Sequence, residues 1–400
     1  MQPKPQSKSQ PESQPKPQSK SQAINDWDEA EIRKALTARG EPGYRAKQIC
    51  EWLYRRRAKS FDKMTNLPAA LRAELAKSFS IIRLELEEEL VSPADGATKV
   101  ALRLGDGKRI EAVYLPHGRG ATLCISTQVG CAFRCRFCAT GTMRLRRNLT
   151  PGEIVDQVLF AKEHFKGRAG HHGDQDADEQ DQDLEHSDAP PAHPSDEPPE
   201  ERPFSNVVMM GMGEPLANYG NVVKAVELLI TQVGIGARRI TISTAGVADK
   251  IMRLAELPHE VGLAISLNAP SDEVRRDIMP VAARTPLAKL IAAAKYYAAK
   301  KGRMPTFEYV LLPGLNDSLR DAYTLANITR DVPAKINLIP FNPFPGAPYE
   351  RPDETKVKRF QSVLRGRGKK VMLRKSLGCD ILAGCGQLGR KPAERRTEKA

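Results

Sequence analysis

Cysteine is scarce in this 400-residue chain: there are seven, an odd number. That excludes a disulfide scaffold, which needs many paired cysteines in a short secreted chain. No apolar run approaches the ~18 residues of a membrane-spanning helix. The opening Met1-Gln2-Pro3-Lys4-Pro5 lacks the apolar stretch of a secretory signal. Free thiols without such a signal lead to the expectation of a reducing, cytoplasmic setting with no membrane contact. Acidic residues are also outnumbered, and the net charge is +13. Residues 173–201 hold twelve Asp and Glu and no Lys or Arg, so the remaining residues together carry +25. A body that basic suits a polyanionic partner, nucleic acid above all. A merely solvated basic surface is the plain alternative.

The chain divides by composition. Residues 1–22 form a Pro, Lys, Gln and Ser tail in which Gln2–Gln10 recurs as Gln14–Gln22. Such a composition cannot bury apolar surface, and disorder is expected. Residues 23–85 read as a small helical accessory module with a basic face suited to RNA docking: Ile49, Trp52 and Leu53 fall at helical spacing among Arg and Lys, with Cys50 as a buried free thiol in the stripe. Residues 166–203 form an acidic, Pro-rich insertion that contains His171-His172 and is expected to be disordered. Residues 390–400 are a basic tail.

Residues 95–389 read as one α/β unit. Ala97–Leu104 and Lys108–Leu115 flank Gly105-Asp106-Gly107 and predict a hairpin. Strands are expected at Thr122–Thr127, Asn206–Met210, Arg239–Ser243, Gly262–Leu267, Thr306–Leu312 and Lys335–Ile339, each followed by helical pattern. Thr150-Pro151-Gly152-Glu153 is a capping-box helix start. Six strand–helix units in succession predict parallel strands in an open, partial (β/α)6 barrel, with function at the carboxyl ends of the strands.

Three of the few cysteines are grouped as Cys131-x3-Cys135-x2-Cys138. Three soft thiolates from one tight loop suit a four-iron cluster with one iron left open to a further ligand. A structural zinc site completed by Cys124 or a histidine is the alternative, although no second C-x2-C knuckle is present.

This spacing, with Phe137 before the last cysteine, resembles the radical S-adenosylmethionine (SAM) superfamily. The flanking runs Val208–Pro215 (VMMGMGEP), Ser243-Thr244, Ile265–Asn268 (ISLN), Ile336–Tyr349 (INLIPFNPFPGAPY) and Cys385–Leu388 (CGQL) resemble the RlmN/Cfr adenine methyltransferases, over about residues 26–389. The helical leader favours the RlmN branch. The resemblance implies a [4Fe-4S] cluster on Cys131, Cys135 and Cys138, and two SAM per turnover held by Gly213, Glu214, Ser243, Ser266, Leu267, Asn268 and Asn342. It implies methylation of adenine carbon 2 in 23S rRNA and in tRNA beside the anticodon. Carbon 2 is a poor nucleophile, and a carbon radical can add where displacement cannot. The family roles map onto Cys385 as the S-methylated cysteine, Glu111 as the base that removes the carbon-2 proton, and Cys124 as the thiol that releases RNA by a transient disulfide with Cys385. An electron donor such as flavodoxin or ferredoxin and a monomeric state are expected.

Two departures from the family stand out. Cys379 occupies a position where an acidic or other polar residue is common, and Gly384 precedes Cys385 where relatives have alanine. Cys379 is expected to be a bystander, the alternative being that it competes with Cys124 for the disulfide. Phosphate contacts are expected from Arg144, Arg146, Arg147, Arg365, Arg367, Lys369, Lys370, Arg374 and Lys375. A non-catalytic RNA-binding protein with a structural cluster, and a radical SAM enzyme for a small molecule, remain as alternatives.

Overall fold

The computed structural model describes residues 22–118, 120–168 and 203–390. The low-complexity tail, the acidic insertion from residue 169 to 202 with its histidine pair, and the basic tail after residue 390 fall outside the described residues.

The leader contains α1 (Glu29–Thr37), α2 (Arg45–Cys50) and α3 (Ala69–Ser78). Asp28 and Glu31 cap α1 reciprocally, each bond 2.8 Å long. The apolar stripe read on α2 is buried at Ile49, Cys50 and Leu53, while Trp52 packs at its edge. The leader packs directly on the rest of the chain through a wholly buried carboxylate. Asp156 accepts from Arg83 at 3.1 Å, from Arg57 at 3.5 Å and from the Leu84 amide at 2.7 Å. Arg57, part of the basic run read as RNA-facing, is therefore turned toward the neighbouring helix, where it also pairs with Glu163.

One ten-stranded sheet forms the rest of the frame. Its strands are β1 (Glu85–Val91), β2 (Thr98–Arg103), β3 (Arg109–His117), β4 (Gly120–Cys124), β5 (Asn206–Met209), β6 (Ile240–Thr244), β7 (Gly262–Ser266), β8 (Thr306–Leu311), β9 (Lys335–Pro340) and β10 (Lys370–Leu373). The hydrogen-bonded order is simply β10 back to β1, with both edges unpaired among the described residues. From β1 to β4 the neighbours are antiparallel; from β4 to β10 they are parallel. Parallel neighbours require crossovers. These are α4 (Pro151–His164), α5 (Tyr219–Thr231), α6 (Ala248–Ala255), α7 (Asp272–Ile278) with α8 (Leu287–Lys301), α9 (Leu319–Ile328) and α10 (Glu354–Gly366). The result is an open (β/α) barrel with a hairpin extension on one side.

The six expected parallel strands are all present, each within three residues of its expected bounds. Two further strands, β1 and β10, were not anticipated. β1 reads Glu-Leu-Glu-Glu-Glu-Leu-Val and lies on the outer edge with Leu86 and Val91 exposed, so charge masks its alternation. β10 is four residues long and directly follows a basic run. The hairpin turn closes with Gly107 at φ +76°, a conformation that glycine adopts without strain. The box at α4 forms as read: Glu153 N donates to Thr150 Oγ1 at 3.3 Å and Thr150 N donates back to Glu153 Oε2 at 3.0 Å.

Candidate active site

Strand register alone brings most of the reactive side chains to one face. Val113 of β3 pairs with Cys124 of β4, and Glu111 lies two residues before Val113. Directly opposed residues, and residues two apart, share a face of a sheet. Cys124 then pairs with Val208, Val208 with Thr241, and Ser243 follows two residues later. Ser243 pairs with Ala264, two before Ser266; Ser266 pairs with Glu308, Glu308 with Asn337, and Asn337 with Met372, two before Arg374. Glu111, Cys124, Ser243, Ser266, Glu308, Asn337 and Arg374 thus line the same side, most of them at the carboxyl ends of the strands.

Beyond β4 the chain turns into the cysteine loop. Cys131, Cys135 and Cys138 are half-buried. Burial pushes Cys131 up to about 12, and the charges of Cys138 and Glu214 add to it. Burial likewise raises Cys135 well above the ordinary thiol range, with Cys138 and Cys131 next in effect, and raises Cys138 as well. Three thiols that resist ionisation together are a donor set that gains most from a cation. Among the described residues, no three His, Cys, Asp or Glu side chains converge tightly enough to hold a single metal ion. Three soft thiols from one loop suit an iron–sulfur cluster in which each would take a separate iron. A second, small apolar cluster formed by Ala139, Ile278, Met279, Phe341, Phe344 and Leu382 packs against Cys135 and Phe137.

Cys385 is 247 residues from Cys138 in sequence but its loop is bonded to the cysteine loop. Ala139 N donates to Gly386 O at 2.6 Å, and Thr140 Oγ1 to Leu388 O at 2.8 Å. Gly386 has φ +85°, and a Cβ there would lie 2.9 Å from Phe137 O, so the close approach requires glycine. Glu111, buried on β3, accepts from Gly389 N at 2.8 Å and lies 3.6 Å from Arg109. It lines a cavity of about 190 Å³ with Arg109, Met143, Met212, Gly389 and Arg390. Cys124 is buried at the last position of β4 and is pushed up to about 12 by burial and then by Cys385, while Arg374 opposes the shift. Arg374 is in turn raised chiefly by Cys385, then by Glu308 and Cys124. One guanidinium therefore serves both thiols.

The remaining expected residues have distinct settings. Gly213 has φ +99° and a Cβ there would come 2.5 Å from Gln128 Cβ. Glu214 is buried; its oxygens accept from Leu216 N at 3.0 Å and Ala245 N at 2.7 Å, and burial pushes it up to about 7. Ser243 and Ser266 are half-buried on the common face. Leu267 is fully buried, its amide donating to Glu308 O at 3.0 Å. Asn268, at φ +56°, directs its amide into the fold: Oδ1 accepts from Val310 N at 2.9 Å and Nδ2 lies 3.3 Å from Met279 Sδ. Asn342 donates to Cys385 O at 3.2 Å.

Several contributors were not read as site residues. Glu308, bonded by Asn337 Nδ2 at 2.8 Å, and Gln128, which accepts from Glu214 N at 2.8 Å, belong to this site. A glutamate inside an apolar strand was the available signal for Glu308. Arg374, read as a phosphate contact, faces the thiols instead. Arg147, also read as a phosphate contact, is bound by Asp106 at 2.8 Å and by Glu153 at 2.7 Å. Arg144 and Arg146 are exposed beside the cysteine loop. No helix among the described residues is long and apolar enough to cross a membrane.

Comparison with known proteins agrees with this geometry. Residues 23–81 match the model for the ribosomal RNA large subunit methyltransferase N-terminal domain, and residues 199–326 match the radical SAM superfamily model. The dual-specificity RNA methyltransferase RlmN of Anaeromyxobacter sp. (strain Fw109-5) is 43% identical over 359 residues, covering 89% of this chain and 88% of that protein. The protein of the same name from Anaeromyxobacter dehalogenans (strain 2CP-C) is also 43% identical, covering 89% of each. The crystal structure of a radical SAM methyltransferase from Sphaerobacter thermophilus superposes with a TM-score of 0.79 at 41% identity, covering 92% of this chain and 99% of that one. Its sequence, its sheet and its cysteine loop agree: the chain belongs to the RlmN family of radical SAM RNA methyltransferases.

Proposed function

We propose that this enzyme methylates carbon 2 of a specific adenosine in 23S rRNA, and of an adenosine beside the anticodon in tRNAs, through S-methylated Cys385. The observation that carries the reading is the meeting of Glu111, Cys124 and Cys385 next to the three-thiol loop. A protein that only bound RNA would have no use for a buried base held against a loop that carries a thiol.

Cys131, Cys135 and Cys138 would hold the cluster, and Gly213, Glu214, Ser243, Ser266, Leu267, Asn268 and Asn342 are the candidate SAM contacts. Bound there, cluster and SAM supply one-electron chemistry that removes a hydrogen atom from a methyl group. Cys385 Sγ accepts a methyl group by displacement and presents it beside the target base. Once the methylene carbon is joined to carbon 2 and the adduct has given up one electron, which the cluster would accept, Glu111 is placed to take the carbon-2 proton. Cys124 Sγ, as thiolate, then attacks Cys385 Sγ: the S–S bond forms, the bond from Cys385 to the methylene carbon breaks, and that carbon takes up a proton to complete the methyl group on the RNA. Arg374 stabilises negative charge on both sulfurs. The base must be unstacked to reach this buried site, so loop or single-stranded RNA is the substrate form.

The test is an anaerobic assay of cluster-loaded enzyme with SAM, a non-thiol reductant and a 23S rRNA fragment, read by nucleoside mass spectrometry. 2-Methyladenosine is expected, and Cys385→Ala should abolish it. 8-Methyladenosine would overturn the regiochemistry, and product from Cys385→Ala would overturn the covalent route.

A further inference from the structure

The disulfide that the proposed mechanism leaves behind is poorly placed for reduction. Cys124 is 8% exposed at the end of a central strand, and Cys385 is half-buried beside it. A third thiol, half-buried like Cys385 and less buried than Cys124, reaches the same loop. Cys379 Sγ lies 3.5 Å from Asn342 Oδ1 and 3.6 Å from Ser376 O. The same Asn342 amide donates from Nδ2 to Cys385 O at 3.2 Å, so one side chain spans the two cysteines. Gly384 makes room for this arrangement. A Cβ at 384 would meet Cys379 Sγ at 3.1 Å, Gln387 Oε1 at 2.8 Å and Asn342 Nδ2 at 3.1 Å. The two departures from the family pattern, Cys379 and Gly384, are thus in contact with each other and adjoin Cys385.

We propose that Cys379 is a thiol-exchange partner of Cys385 that carries the disulfide outward for reduction. The step rests on the Cys124–Cys385 disulfide proposed above. Cys379 Sγ, as thiolate, attacks Cys385 Sγ; the Cys379–Cys385 bond forms, the Cys124–Cys385 bond breaks, and Cys124 leaves as thiolate and takes the proton that Cys379 gave up. The exchange is redox-neutral. A dithiol reductant, a small molecule or a protein, then supplies two electrons and two protons to the half-buried Cys379–Cys385 pair. Burial holds the Cys379 thiol above its ordinary range and the Arg351 guanidinium pulls it back; the charge of Cys385 also acts on it, as expected for neighbouring sulfurs.

The test uses cluster-loaded full chain taken through a single turnover with SAM, a non-thiol reductant and a 23S rRNA fragment. The reaction is quenched with an alkylating agent and its disulfides are mapped by peptide mass spectrometry. Wild type is expected to yield both Cys124–Cys385 and Cys379–Cys385 peptides. Cys379→Ser should yield only the first, and added dithiothreitol should reduce it several-fold more slowly than in wild type. Gly384→Ala, which pushes Cys379 aside, should lower the Cys379–Cys385 share without removing the thiol. Wild type with only Cys124–Cys385, reduced at the same rate in Cys379→Ser, would overturn the exchange while leaving the proposed function intact. Absence of both disulfides, with no methylated product, would overturn the function and the exchange together.

Discussion

Arg374 shows how a distant cation bears on a buried thiol. Cys124 is pushed up to about 12, so at neutral pH its thiolate is rare, and Arg374 is the cation that counters the shift. Arg374→Met should raise Cys124 further and slow the release step. The protein–RNA adduct is then expected to accumulate on a denaturing gel and to decay faster as pH rises; no adduct, or release independent of pH, would refute this role. Glu214 yields a second prediction. Its carboxyl goes from 4.5 to about 7 on burial, so it binds its proton more tightly folded than unfolded. Its stabilising contribution is present below about pH 4.5 and is lost as pH rises through about 7, by on the order of 3 kcal/mol. Thermal melts of the cluster-free chain between pH 5 and 8 should show this slope, and Glu214→Gln should flatten it. Equal slopes in the two proteins would count against it. Asn268 shows what a residue type leaves open: the resemblance implies a SAM contact there, and its side chain is bonded to Val310 N and lies near Met279 Sδ. Hydrogen-bonding capacity is legible in a residue type, but the partner it meets is not.

At the scale of elements, local signals were the reliable ones. The box at Thr150 formed because both of its bonds lie within four residues, and Thr150→Ala should cost about 1 kcal/mol. Calorimetry would check this, and an unchanged Tm would mean that Arg147, which binds Glu153, holds the helix start by itself. The hairpin and the six central strands were legible because glycine-rich turns and apolar runs are also local. β1 was not, since an exposed edge strand needs no apolar face and three consecutive glutamates hide its alternation. The basic stretches were misread in part for the same reason. Arg147 and Arg57 look like solvated cations in sequence, and only their carboxylate partners, which lie on other elements, take them off the RNA-facing list.

For the molecule as a whole, the leader and barrel are joined by buried charge as well as apolar packing. Asp156 is wholly buried and meets Arg57 and Arg83, whose side chains are 14% and 8% exposed. Asp156→Ala would remove the buried carboxylate that Arg83, Arg57 and the Leu84 amide share, leaving Arg57 its pair with Glu163 and Arg83 its bonds to Leu53 O and Ile82 O, and is expected to cost about 3 kcal/mol. Limited proteolysis should then cut the leader before the barrel; simultaneous loss of both, or none, would contradict the docking role. The spacing of the three-cysteine loop, the turn glycines, the capped helix and the strand–helix rhythm were determined by sequence alone, because each depends on residues a few positions apart. Tertiary structure alone decided that Arg374 and Cys379 adjoin Glu111, Cys124 and Cys385, which the resemblance had already grouped. They come from strands and loops up to 274 residues apart, and sheet register, one backbone bond and one hydroxyl-to-carbonyl bond between distant loops bring them together. Register follows from the pairing of whole strands, and no single segment carries that information.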